Sequence, residues 1–170
     1  DLVQFDKALS SYEEALDIQK KNGLKNEMAA TLNNIGTVYK DLNQYDKALS
    51  YYEASLKTNR ELGRSPDIAT NLSNRGDAYA AMGKSEKALA AYQESLDLEK
   101  QINRPVKMAI VLNNMGMEQF RLGRYGQALR YLNEALEIER KLNNPHALAA
   151  RLNNIGAVHL RQGKYREAEE

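Results

Sequence analysis

A row of amide side chains recurs along the sequence at an interval of 40 residues. Its members, each two positions before a glycine, are Asn34, Asn74, Asn114 and Asn154. A primary amide offers both hydrogen-bond donors and an acceptor, so it can satisfy a peptide unit whatever side chains that unit carries. The same amides could instead cap helices or brace neighbouring repeats, and the sequence leaves both roles open. Further asparagines precede most members of the row: Asn33, Asn113 and Asn153, with Ser73 as the exception.

Residues suited to catalysis are sparse. The two histidines, His146 and His159, fall on one predicted helix and are about 20 Å apart along its axis, which excludes a shared metal ion. The sequence has no cysteine, so disulfides, thiol nucleophiles and cysteine-based zinc sites are excluded. It also has no phosphate-binding glycine loop and no serine–histidine–aspartate order. We therefore predict that the protein is not an enzyme and needs no metal or cofactor.

The charge balance argues against two classes of partner. The 24 basic and 23 acidic residues give a formal net charge of +1, whereas a nucleic-acid binder usually shows a strong positive stripe. No apolar run approaches the length of about 20 residues that spans a membrane, and the first residues lack the pattern of a signal peptide. We predict no nucleic-acid partner, no membrane association and a cytoplasmic location.

The amide row is predicted to lie on helices of one kind, which we call A helices. In the first, from about residue 26 to 42, Leu32, Ile35 and Tyr39 recur at the spacing of one helix face. Each glycine after the row falls inside its helix, where glycine costs about 1 kcal/mol relative to alanine. Glycine at four equivalent positions therefore indicates that another helix approaches closely there.

A second kind of helix, the B helix, is predicted to follow each A helix. The apolar stripe of one copy is Ala48, Leu49, Tyr52 and Leu56, and it recurs 40 and 80 residues later. Helix axes approach to about 8 Å only where side chains are small, so we expect Gly36 to face Ala48. The chain opens with the end of a turn at residues 1–5, followed by a B helix over residues 6–21.

Glycine and asparagine recur between the predicted helices, and both tolerate the left-handed conformation that closes a helix. They are Gly23, Gly63, Asn103 and Asn143 after B helices, and Asn43, Gly83, Gly123 and Gly163 after A helices. These boundaries predict a partial repeat at 1–25 (B helix only), repeats at 26–64, 65–104 and 105–144, and a partial repeat at 145–170 (an A helix and the start of a B helix). Periods of about 20 to 50 residues are typical of arrays in which each repeat packs on its neighbours.

The repeated residues resemble the tetratricopeptide repeat. The residues that match its two helices are Leu32, Ile35, Gly36 and Tyr39, then Tyr45, Ala48 and Ser55. The 40-residue unit is longer than the usual unit of about 34 residues and is similar to the long repeats of LGN/Pins scaffolds, kinesin light chains and bacterial signalling proteins. The resemblance implies an all-α, right-handed superhelical solenoid of antiparallel helix pairs, with the A helices lining a concave groove.

The resemblance also implies a non-catalytic protein–protein interaction module. An extended peptide or protein segment would bind in the groove, gripped along its backbone by the asparagine row. The groove positions beside the row are Thr37, Asp77, Met117 and Ala157, then Lys40, Ala80, Phe120 and Leu160, then Asp41, Ala81, Arg121 and Arg161.

One part of this groove is predicted to hold an apolar pocket. It would consist of Ile110, Met117, Phe120 and Leu160, with Arg121 and Arg161 beside it. Such a pocket would suit a partner that presents a large apolar side chain and an acidic residue. The alternative is that Phe120 and Leu160 simply pack against the adjacent repeat.

Two alternatives for the whole chain stay open at the level of sequence. Apolar open ends could let the repeats associate end to end, which would make the chain a structural, self-assembling array. The chain could also be a regulatory region of a larger signalling protein whose effector domain lies elsewhere.

Overall fold

A computed structural model describes residues 2–163 of the chain, and within them it contains eight α-helices and no strand. The helices are α1 (Leu2–Lys21), α2 (Lys25–Asp41), α3 (Tyr45–Glu61), α4 (Ser65–Ala81), α5 (Ser85–Gln101), α6 (Pro105–Arg121), α7 (Tyr125–Lys141) and α8 (Pro145–Arg161). The even-numbered helices are the A helices and the odd-numbered ones the B helices. The predicted all-α array of helix pairs is therefore confirmed, and the start of a last B helix lies outside the described residues.

The chain forms two compact units, one up to residue 84 and one from residue 85. In the first unit, α2 packs against α1, α3 and α4, and α3 packs against α4. In the second unit, α6 packs against α5, α7 and α8, and α7 packs against α8. Each unit therefore contains one A helix, α2 or α6, that contacts both of the B helices beside it and the next A helix.

The turns between helices close in the left-handed conformation, as predicted. Asn43 has a φ of 58°, and the other predicted turn residues within the described range also have positive φ. After α2, the N–H of Gln44 donates to the carbonyl of Tyr39 (2.8 Å), and the N–H of Asn43 donates to that of Lys40 (2.9 Å). These two bonds satisfy carbonyls at the end of the helix that would otherwise have no intrahelical partner. The turns therefore fix where each helix ends.

The first helix differs from its prediction. We expected the end of a turn at residues 1–5, but α1 begins at Leu2 and includes Val3. Val3 occupies the repeat position of Asn43 and Gly83, both of which adopt a positive φ. A β-branched residue strongly disfavours that conformation, so the chain continues as a helix through this position.

The A and B helices approach closely at the predicted Gly36 and Gly116. The expected Ala128 meets Gly116 through its carbonyl oxygen, 3.2 Å from an added Cβ atom, but the nearest side chain at both glycines lies one turn further along the B helix. A Cβ atom added to Gly36 would lie 2.6 Å from the ring of Tyr52, one turn beyond the expected Ala48. The Tyr52 ring is fully buried, and its hydroxyl lies 3.4 Å from Oγ1 of Thr37. Burial raises the pKa of this phenol to about 12. The glycine thus makes room for a large buried ring.

A buried polar position joins each B helix to the following A helix. In the first unit, Gln19 donates to Thr31 (2.9 Å) and Asn59 donates to Asn71 (2.8 Å). In the second unit, Arg151 lies 3.6 Å from Glu139, and both side chains are largely buried. These pairs occupy equivalent repeat positions, 12 residues apart in each case. The joint between repeats is therefore polar in chemistry although it lies inside the protein.

The remaining joint lacks a matched pair. Glu99 is 1% exposed and stands opposite Val111 in the repeat pattern. Its carboxylate lies 3.4 Å from Arg104, which precedes the next A helix. Burial raises the pKa of this carboxyl, while Arg104 and Lys107 act in the opposite direction. Within residues 2–163, the joint between α5 and α6 is therefore the one whose buried acid forms its ion pair with a residue of the turn.

Candidate functional site

The asparagine row lies on the A helices α2, α4, α6 and α8. Asn34 is exposed, and Asn74, Asn114 and Asn154 are partly buried. The 40-residue period repeats this position once per A helix, so each unit carries two members of the row.

In the first unit, one amide oxygen joins two A helices. Oδ1 of Asn33 on α2 accepts hydrogen bonds from Nδ2 of Asn71 (2.8 Å) and from Nδ2 of Asn74 (2.9 Å), both on α4. Asn71 is 1% exposed and accepts in turn from Asn59 and Ser55. Among the described residues, Oδ1 of Asn74 accepts no hydrogen bond. Asn74 is therefore braced by one N–H and keeps its acceptor.

In the second unit, the same brace recurs. Nδ2 of Asn154 on α8 donates to Oδ1 of Asn113 on α6 (2.7 Å), and Nδ2 of Asn113 lies 3.3 Å from Oδ1 of Asn114. Asn153 is exposed. Within the described part of the chain, Oδ1 of Asn154 accepts no hydrogen bond either. The bracing role that the sequence left open is thus present in both units, and it uses only part of each amide's capacity.

A polar cleft accompanies the row in the first unit. It has a volume of about 120 Å³ and lies between the first halves of α2 and α4, beyond the end of α3. Five asparagines line it, together with the ion pair of Arg64 and Asp67: Asn26, Asn33, Asn34, Asn59 and Asn71. Amides that line a small open cleft can bind other amides, including peptide groups, through both donors and acceptors.

A different pocket lies in the second unit, where α6 and α8 end. It has a volume of about 420 Å³ and opens to solvent. The residues that line it are Met117, Phe120, Arg121, Gly123, Tyr125 and Arg161. The structure therefore brings four of the predicted pocket residues together. Leu160 (52% exposed) and Ile110 (38% exposed) lie outside the lining, which corrects their predicted place in the pocket.

The sequence analysis missed Tyr125 as part of this pocket. Its ring centroid lies 5.9 Å from that of Phe120, at an interplanar angle of 47°. An aromatic residue recurs here as Tyr45, which could have signalled a role beyond the turn. Tyr125 is the first residue of α7, directly after the turn that follows α6, and this short connection places its ring beside the end of α6.

The apolar wall of the pocket is held by packing. Met117, Phe120 and Tyr125 contact a buried cluster formed by Ala128, Leu132 and Val158. This cluster combines Ala128 and Leu132 of α7 with Val158 of α8, so Phe120 packs against a core that the adjacent repeat shares. A side chain can therefore support the repeat with one face and line the pocket with the other.

The two arginines at the pocket differ in their pairing. Arg121 lies 3.2 Å from Glu118, a buried carboxylate one turn earlier on α6. Arg161 is exposed and makes no ion pair within residues 2–163. With Glu118 counted, the two arginines leave one net positive charge at the pocket, and Arg161 carries it.

The repeat positions that form this pocket in the second unit carry different side chains in the first unit. Thr37, Lys40 and Asp41 stand at the positions of Met117, Phe120 and Arg121. Nζ of Lys40 lies 3.3 Å from Oδ1 of Asp41, and the Thr37 hydroxyl donates to the carbonyl of Asn33. An apolar wall and a net positive charge are therefore features of the second unit at this position.

Within the described residues, no group of three histidine, cysteine, aspartate or glutamate side chains could hold a metal ion. No described helix is long and apolar enough to cross a membrane.

Comparison with known proteins gives a consistent result. The tetratricopeptide-repeat family profile matches residues 4–58, 27–101 and 107–170. BtubC (BKLC) from P. vanneervenii is 26% identical, with a TM-score of 0.88 over 98% of this chain and 69% of that one. A putative kinesin light chain from Podospora anserina is 17% identical, with a TM-score of 0.80 over 98% and 82%. A Rap protein complexed with competence and sporulation factor is 19% identical, with a TM-score of 0.74 over 97% and 48%. No curated protein is significantly similar in sequence.

Proposed function

This chain belongs to the tetratricopeptide-repeat family, and we propose that its A helices bind an extended peptide or protein segment without catalysing a reaction. The binding groups would be the amides of the asparagine row, acting on the peptide main chain in the concave groove that such repeats form. Proteins are the proposed partners rather than nucleic acids, because the net charge of +1 supplies no basic footprint.

One observation carries this proposal: the same amide brace occurs in both units. Asn74 is held by Asn33, and Asn154 is held by Asn113, through hydrogen bonds of 2.9 and 2.7 Å. A side chain that is already held in place loses less conformational entropy when a ligand binds, so the brace preorganises the row. The oxygen and second N–H that Asn74 and Asn154 do not use in the brace match the donor and acceptor of a peptide unit.

A relative of the same fold supports a binding role. The Rap structure described above is a complex with competence and sporulation factor, so an array of this kind can hold a partner. This chain spans about half of that Rap protein.

The test uses peptides selected from a random displayed library on the purified chain, with affinities measured by fluorescence polarisation. Substituting Asn74→Ala and Asn154→Ala together removes one main-chain anchor from each unit. At about 1 kcal/mol for each hydrogen bond, affinity should fall by roughly 30-fold.

A matched control is Asn133→Ala, which removes an exposed asparagine from the B helix α7. Its affinity should equal that of the unsubstituted chain. Because the braces also join helices, urea unfolding of each variant shows whether the array stays folded under the binding conditions. Peptides that bind the folded double variant with unchanged affinity would exclude capture by the asparagine row.

A further inference from the structure

We propose that the pocket of the second unit selects peptides in which a large apolar side chain stands next to an acidic residue. The apolar side chain would enter between Met117, Phe120 and Tyr125, and the acidic side chain would pair with Arg161. This inference rests on the proposed function, since it gives the asparagine-bound peptide a side-chain preference at one end of the groove.

The apolar part of the proposal follows from how the wall is built. Phe120 and Tyr125 present two rings 5.9 Å apart, and Met117 adds a flexible thioether beside them. All three are only partly buried, although they pack against the buried cluster of Ala128, Leu132 and Val158. The wall is therefore fixed from behind and open in front. Burying a leucine, methionine or phenylalanine side chain against it would contribute the usual apolar transfer free energy.

The acidic part of the proposal follows from charge complementarity. Arg121 is already held by the buried Glu118, whereas Arg161 has no carboxylate partner among the described residues. An arginine guanidinium offers a planar pair of donors that suits a carboxylate. Both arginines line the same pocket as the rings, so the acidic residue must be close to the apolar one in the partner. Because an extended chain rises about 3.3 Å per residue, one or two positions separate them.

The first unit serves as an internal reference for this assignment. At the corresponding positions, Lys40 and Asp41 neutralise each other at 3.3 Å. No aromatic wall forms there, because Lys40 replaces Phe120 and Thr37 replaces Met117. The side-chain preference is therefore expected at the second unit, while the asparagine row is common to both.

The experiment pans a displayed library of random 12-residue peptides against the purified chain and three variants. On the unsubstituted chain, enriched peptides should carry leucine, methionine or phenylalanine one or two residues from aspartate or glutamate. On Arg161→Glu, lysine or arginine should replace the acidic residue. For the best peptide, Phe120→Ala should weaken binding about tenfold, as truncation of a central aromatic contact commonly does. Arg130→Glu, an exposed residue of α7 with the same charge change, should keep the original preference.

The possible outcomes separate this proposal from the more general one. Enriched peptides without the apolar and acidic pair, or an unchanged preference on Arg161→Glu, would overturn the pocket but leave the asparagine row in place. Retention of no peptide at all would overturn both. Phe120 supports the core, so its variant is checked by urea unfolding. Arg161 is exposed, so Arg161→Glu tests the charge preference whatever happens to the Phe120 variant.

Discussion

The joint between α3 and α4 in the first unit and the joint between α7 and α8 in the second occupy the same place in the repeat. In the first unit, the neutral amides of Asn59 and Asn71 share a hydrogen bond of 2.8 Å. In the second, the charged side chains of Glu139 and Arg151 replace them at 3.6 Å. Ser55, which also hydrogen-bonds Asn71, is replaced by Ala135.

This comparison shows which part of the repeat is free to change. The helices and their apolar contacts are alike, but the buried polar pair is exchangeable provided that both partners change together. A single change would leave a buried polar group without its partner, which costs far more than the pair contributes. The joint at Glu99 and Val111 shows the intermediate case, in which Arg104 from the turn compensates a buried acid.

The largest effect is expected when the buried pair of Glu139 and Arg151 is broken. Arg151→Asn should destabilise the protein by about 3–5 kcal/mol, because it leaves Glu139 buried without its counter-ion. Adding Glu139→Asn installs the pair found in the first unit and should recover a large part of the loss. Urea unfolding measures both changes.

The control for this prediction is Arg140→Asn, at an exposed arginine whose partner is Glu137. Exposed ion pairs contribute little, so its effect should stay below about 1 kcal/mol. If the double variant proves no more stable than Arg151→Asn alone, the two kinds of joint are not exchangeable.

A smaller effect on stability is expected at the asparagine brace, where the two units can again be compared. Asn33 accepts two hydrogen bonds, one of them from the buried Asn71, whereas Asn113 accepts one from Asn154 and donates a longer one of 3.3 Å to its neighbour Asn114. Asn33→Ala should therefore cost about 1–3 kcal/mol and Asn113→Ala only about 1 kcal/mol. Thermal or urea unfolding of the two variants gives the difference, and equal losses would show that leaving the buried Asn71 without this acceptor has no additional cost.

The smallest effect concerns the unmatched joint and depends on pH. Burial raises the pKa of Glu99 in the folded protein, so its stabilising contribution is present below the unfolded-state pKa and is lost as pH rises through the folded one. Glu99→Gln should therefore gain stability relative to the unsubstituted chain as pH rises above about 4, the usual pKa of a glutamate carboxyl. Melting temperatures across this range measure the gain. Glu134→Gln, on an exposed carboxylate of the same unit, should show no such gain.

Much of the fold could be predicted because the same apolar and turn residues recur in each repeat. The apolar stripe around Leu32 and Ile35 placed the A helices, and residues such as Asn43 placed the turns. The start of α1 was predicted wrongly because Val3 stands where the other repeats have a turn residue. The contact of Gly36 was displaced by one turn because Tyr52 is large enough to fill the space that the glycine leaves.

The site was predictable in part. The positions of Met117, Phe120, Arg121 and Arg161 on successive A helices were enough to place them around one pocket. Spacing on single helices did not reveal which side chains meet across helices, so the buried pair of Glu139 and Arg151 was missed. A partial signal was present in the sequence: these two positions hold Asn59 and Asn71 in one repeat and the opposite charges of Glu139 and Arg151 in another, although Glu99 and Val111 do not follow the pattern.

The amide bonds between A helices have a consequence for how the chain reaches its structure. They join residues 38 to 41 positions apart, which is about one repeat. Contacts of such short sequence separation favour rapid folding, and the entropy of closing these loops grows only slowly with their length. During synthesis, α4 and α8 each need only the preceding repeat of their own unit to find their amide partner. The array can therefore acquire order from its amino-terminal end, one repeat at a time, while the rest of the chain is still being made.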